Sequence, residues 1–194
     1  MRRIGVLGGS FNPAHEGHRH ISLLALKRLR LHEVWWMVSP QNPLKDRADM
    51  APFVRRLATA KQIARHPRIR VTDIERRLHT VYTVDTLLAL TRRFPDCSFV
   101  WLMGADNLAQ ISAWKGWRRI FRTVAIAVFA RPSYSRWALA GKAARSFAFS
   151  RVPEARANVL VELPVPAWMF FHIRPHAGSA TRIRRGMQHG WSCR

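Results

Sequence analysis

The sequence predicts an α/β protein, a Rossmann-like doubly wound parallel sheet with helices on both faces. Two observations carry that reading. Short apolar strand-like runs alternate with helical stretches along the chain, the pattern of successive βαβ units. Glycines close two of those runs, at Gly8 and Gly9 and again at Gly104, which is where open α/β sheets place ligands.

In order, Ile4 to Leu7 reads as a short buried strand and Gly17 to Leu31 as a helix turning Ile21 and Leu24 inward. The segment "EVWWMVS" from Glu33 is the next strand. The turn-rich loop "PQNPLKDRADMAP" leads to a helix from Phe53 to Arg65. Then come the strand "RIRVTD", a helix beginning near Thr83 ("TVDTLLALTRRF"), the strand "SFVWLMG", the Trp-rich helical piece "WKGWRRIF" and the strand "TVAIAVFA". "RWALAGKAARSFAFSR" reads as one helix and "NVLVELP" as a late strand. There is no internal repeat, low-complexity tract or linker, so residues 1–194 are expected to form a single domain, a length that supports one sizeable core.

The 33 Lys and Arg against 11 Asp and Glu give a formal charge of +22, which implies anionic partners. Cys97 and Cys193 are too few and too far apart for a disulfide framework or a zinc site, and point to a reducing cytoplasm. No secretory signal stands at the N-terminus, and no run approaches the roughly 18 apolar residues of a membrane span.

The chemistry concentrates in "IGVLGGSFNPAHEGHRH", Ile4 to His20. The amides at the start of a helix lack partners and carry partial positive charge, so they attract anions. Gly8 and Gly9 are expected to let a phosphate come close. His15 and His18, three apart, would share a helix face and donate to phosphate oxygens, with Pro13 stiffening the approach. A metal site is less well served, because it would want i, i+4 spacing or a further ligand, and Glu16 lies on another face. Neither G-x-x-x-x-G-K-[ST] nor G-x-G-x-x-G occurs.

A second anion site lies near the other end. In "GSATRIRRG", Ser179 and Thr181 precede Arg182, Arg184 and Arg185, a hydroxyl-rich helix start with guanidinium groups within one turn. Two such cradles suggest a polyphosphate substrate, with Lys45 and Arg131 adding charge at the same rim.

These residues resemble the nucleotidylyltransferase superfamily. Its motif G-x-F-x-P-x-H-x-G-H is matched by Gly9, Phe11, Pro13, His15, Gly17 and His18, and its distal hydroxyl-hydroxyl-Thr-x-x-Arg by Ser179, Thr181 and Arg184, with Ala180 in place of a second serine. Within the superfamily, "IERRLHTVYTVDTLLAL", "WLMGADNLAQISAWKGWRRIF" and "AVFARPSY" are similar to the bacterial nicotinate-nucleotide adenylyltransferases over residues 4 to 186. The resemblance implies transfer of the adenylyl group of ATP to nicotinate mononucleotide, with Mg²⁺ arriving as Mg-ATP. It implies His15, His18 and Arg184 as catalytic. Gly8, Gly9, Ser10, Phe11, Gly104, Asp106, Ser179 and Thr181 would complete the ATP site. Ser10, Asn12, Lys45, Thr83, Trp114 and Arg131 would line the nicotinate mononucleotide site, with Trp114 stacked on the pyridine ring.

The attacking phosphomonoester has its second pKa near ~6, so it is largely ionised at pH 7 and needs no general base. Such a site must instead offset anion repulsion and align the reactants, which explains many donors and few carboxylates. A nucleic-acid-binding module is the rival reading, given the charge and eight tryptophans. The arginines are spread along the sequence and no RNA-binding motif occurs, so no specific nucleic acid and no membrane partner is expected. Acid and amide acceptors are not distinguished by these residues, and oligomeric state, monomer or dimer, stays open.

Overall fold

The computed structural model describes residues 1–40, 50–131 and 133–173. The elements are β1 (Arg2–Gly9), α1 (Glu16–Arg28), β2 (Glu33–Val38), α2 (Phe53–Ala64), β3 (Ile69–Thr72), α3 (Ile74–Arg77), α4 (Thr83–Arg93), β4 (Cys97–Gly104), α5 (Ala105–Gln110), α6 (Trp117–Thr123), β5 (Ala125–Phe129), α7 (Ser135–Ala140), α8 (Lys142–Ser146) and β6 (Trp168–Phe171). The six strands form one sheet in the order β3-β2-β1-β4-β5-β6, with every pairing parallel. This is the doubly wound arrangement that the alternation predicts. The strand order reverses between β1 and β4, the place where open parallel sheets form a ligand crevice beyond the strands' carboxyl ends.

Alternate residues of each strand enter opposite cores. On one side Ile4, Val6, Trp101, Met103, Ile126 and Val128 pack with Leu87 and Leu90 of α4 and Ile120 and Phe121 of α6. On the other, Leu7, Trp36, Leu102, Ala127 and Phe129 meet Ala25 and Leu26 of α1, Ala60 of α2 and Leu160. Covering both faces explains why β5, "AIAVF", has five buried residues in a row. Among the described residues no helix is long and apolar enough to cross a membrane.

Three expectations are corrected. "NVLVELP" is not a strand. It lies in a 3-10 stretch, Glu154–Glu162, that starts after Pro153 and buries Ala157, Leu160 and Val161. That spacing of three and four is helical, and the last strand among the described residues is instead the four-residue "WMFF", which follows Pro164 and Pro166. The expected single helix over "RWALAGKAARSFAFSR" is split into α7 and α8 by Gly141, which takes an extended backbone and caps both. The first helix ends at Arg28 rather than Leu31, because Arg30 adopts a left-handed φ of 49° and turns the chain into β2.

Candidate active site

The site begins where β1 runs out. Gly9 receives a hydrogen bond from the Ser39 N–H at 2.9 Å, which ties the ends of β1 and β2 together. Phe11 then takes a left-handed φ of 46°, and His15 is the extended residue that caps α1. The two histidines therefore do not share a helix face, as the spacing suggests. His15 precedes the helix and His18 lies in its first turn, yet their ring centroids are 3.8 Å apart.

A hydrogen bond sets the proton of His18. The backbone N–H of His15 donates to His18 Nδ1 at 3.2 Å. While that bond holds, the neutral ring carries its proton on Nε2, leaving that nitrogen as a donor. The ring is also held by apolar neighbours: Phe11 lies 4.8 Å away and Trp36 5.9 Å, with Phe11 and Trp36 stacked at 5.1 Å. The buried Trp36 indole donates to Ser22 Oγ at 2.8 Å, and Ser22 donates in turn to the carbonyl of His18 at 2.8 Å. His15 itself is only 4% exposed.

The two glycines have different roles. A Cβ on Gly8 would clash with the edge of the Trp101 ring, so the close approach of Trp101 requires a glycine there. A Cβ on Gly9 would meet nothing closer than 3.8 Å, on Phe11, so space lies beside it. Ser10 is buried, and the Asn12 Oδ1 accepts the Ala51 N–H at 3.2 Å, fastening the chain that returns toward α2.

Across the crevice, Gly104 ends β4 and Asp106 begins α5. Arg131, just beyond β5, donates through Nη1 to Asp106 Oδ2 at 3.1 Å, so these two residues engage each other. Asp106 Oδ1 is buried with no donor among the described residues, and a Cβ on Gly104 would collide with it. Thr83 opens α4, and Trp114 sits at the turn before α6, half-buried against the core. That turn rests on the start of α4: Lys115 Nζ lies 4.3 Å from the Tyr82 ring centre and 3.4 Å from Asp85, and left-handed Gly116 faces Val84. Lys45, Ser179, Ala180, Thr181 and Arg184 lie outside the described residues.

Two buried charged residues behind these loops escaped the sequence reading. Arg56, 2% exposed, donates to four carbonyls among the described residues: Ser10 at 2.6 Å, Ser39 at 2.8 Å, Ala51 at 2.9 Å and Pro40 at 3.0 Å. It stitches the loops after β1 and β2 to the start of α2. The signal was present, since Arg56 lies on the apolar stripe formed by Phe53, Leu57, Ala60 and Ala64. On the far side of Ser39, Glu75 accepts hydrogen bonds from Ser39 and Thr86, and burial pushes its carboxyl up to about 7.

Among the described residues no three His, Cys, Asp or Glu side chains group as metal ligands. The donor set is imidazole, helix amide and hydroxyl, with one carboxylate already bound to Arg131. It suits phosphate groups that bring their own cation better than a protein cage around a metal.

Residues 6–186 match the cytidylyltransferase-like family. A nicotinate-nucleotide adenylyltransferase of Parvibaculum lavamentivorans is 53% identical over 99% of this chain and 94% of its own length, and one of Rhizobium johnstonii is 47% identical over 96% and 94%. The nicotinic acid mononucleotide adenylyltransferase of Plasmodium falciparum, solved in complex with NaAD, superposes with a TM-score of 0.71 over 95% of this chain and 83% of that one. At 17% identity, that likeness concerns the fold. The chain belongs to the cytidylyltransferase-like family and, within it, to the nicotinate-nucleotide adenylyltransferases.

Proposed function

We propose that the chain carries out its family's reaction, adenylyl transfer from ATP to nicotinate mononucleotide in NAD biosynthesis, at the crevice between the carboxyl ends of β1 and β4. The observation that carries this reading is the pair of imidazoles at the start of α1, one of them with its Nε2 proton fixed as a donor by the His15 N–H.

An oxygen of the mononucleotide phosphate attacks the α-phosphorus of ATP, the bond from that phosphorus to the bridging oxygen breaks, and pyrophosphate leaves. His15, His18 and the first amides of α1 receive the charge that develops on the phosphoryl oxygens. Gly9 leaves room for the approach of the phosphates. Ser179, Thr181 and Arg184 hold the triphosphate, as the family motif implies, with Lys45 adding charge. Gly104 and Asp106 face the nucleoside, while Thr83 and Trp114 form the pyridine pocket, with Arg131 orienting Asp106 from the same rim. Magnesium enters as part of the substrate Mg-ATP, held by phosphate oxygens and water. The enzyme works in the cytoplasm as one domain spanning the chain.

The test is His18→Ala. Turnover should fall by about 10²-fold or more, the scale of losing one transition-state donor, while the thermal unfolding midpoint stays near that of the parent. An unchanged rate of pyrophosphate release would remove His18 from the chemistry.

A further inference from the structure

Adenylyl transfer uses few cations and leaves most of the +22 charge unexplained. That charge is not evenly placed. From Asn107 to Pro153 the chain carries nine Lys and Arg and not one Asp or Glu. Three of these, Arg118, Arg119 and Arg122, lie on the exposed side of α6 and line an open groove of about 860 Å³. Its apolar part is Leu88 of α4 and Trp117.

No carboxylate pairs with any of the three arginines among the described residues. Arg118 instead lies over the Trp117 ring at 4.5 Å, a contact that leaves its charge uncompensated. Three unpaired guanidinium groups within two helical turns raise the local potential and favour a chain of phosphates over a single anion. Aromatic surface lies close by. Trp117 packs edge-on to Phe147 at 5.9 Å, and beyond Phe147 the ring of Phe149 stands 79% exposed.

We propose that this groove binds single-stranded nucleic acid without sequence preference. The arginines of α6 would track the phosphates and the exposed ring of Phe149 would offer a face for stacking. A membrane surface fits less well, because the guanidinium groups line a groove rather than flank an apolar face. The surface involves none of the residues assigned to adenylyl transfer and stands or falls independently of it.

The test is fluorescence anisotropy of a labelled single-stranded 20-mer, titrated with the full chain at several salt concentrations. It compares the parent, R118Q/R119Q/R122Q, and a control, R55Q/K61Q/R156Q, that removes the same charge from exposed positions elsewhere. The groove variant should bind at least about tenfold more weakly. Its dependence of log K on log salt should be shallower by about 2, from ~0.7 for each of three lost phosphate contacts. The control should change by less than about threefold, and all three proteins should release pyrophosphate at the same rate, which shows that the variants are folded. Equal weakening of both variants, or unchanged binding by the groove variant, would overturn the proposal. So would pelleting of the parent with phosphatidylglycerol vesicles under conditions where it leaves the oligonucleotide unbound.

Discussion

Replacing Arg56 with alanine removes a buried side chain that binds both the loops after β1 and β2 and the start of α2. Four carbonyls, of Ser10, Ser39, Pro40 and Ala51, lose their guanidinium donor together. At ~1 kcal/mol net for each bond, the loss is about 4 kcal/mol. At 2–4 °C for each kcal/mol in a protein of this length, the unfolding midpoint should drop by roughly 8–16 °C. Arg56→Lys should recover part of that, since an ammonium group has three donors but cannot span carbonyls set around a planar fork. Calorimetry on parent, Lys and Ala proteins, with pyrophosphate release measured well below the midpoint, gives both readouts. In the folded Ala variant the KM for ATP should rise, because the Ser10 carbonyl belongs to the loop between Gly9 and His15. If Arg56→Ala unfolds within about 3 °C of the parent and keeps its KM, the buried guanidinium does not organise the site.

Two further outcomes follow from buried positions. Gly8→Ala should cost about 1–3 kcal/mol in denaturant unfolding, because the added methyl overlaps the buried Trp101 ring and the core must shift. A loss below 0.5 kcal/mol would contradict that packing. Glu75 provides the pH dependence. Its carboxyl titrates near about 7 when folded against an ordinary 4.5, so between these values the folded state holds more protons than the unfolded one. Stability from this group is therefore fully present below pH 4.5 and is lost as pH rises through 7, by roughly 3 kcal/mol in all. Glu75→Gln should match the parent near pH 5 and exceed it at pH 8. A constant difference across that range would refute the assignment.

The features of the fold and the site that are legible in the sequence are those set by local pattern. Apolar runs between helical stretches fixed the class of fold and the places of β1, β2, β4 and β5, because strands buried on both faces need continuous apolar residues. The histidine motif was legible because Gly, Pro and His stand at fixed spacing around one helix start. The relation between the rings was not, since whether His15 caps the helix or lies within it depends on the backbone at Phe11. "NVLVEL" misled because a short apolar run with two β-branched valines resembles a buried strand, while burial of Ala157, Leu160 and Val161 selected a helical turn. That Gly8 must also make room for Trp101 was not legible, because β4 brings that ring alongside only in the folded sheet. Arg56, Glu75 and the pairing of Asp106 with Arg131 depend on tertiary contacts 10 to 50 residues apart, which no local pattern displays.

The central claim, adenylyl transfer to nicotinate mononucleotide, is tested most directly by pyrophosphate release from the purified protein with Mg-ATP. The separate acceptors are nicotinate mononucleotide, nicotinamide mononucleotide and phosphopantetheine. Fast release with nicotinate mononucleotide, far slower with its amide and none with phosphopantetheine, is the predicted result. Silence with all three from folded protein that still binds ATP, or preference for phosphopantetheine, would contradict it.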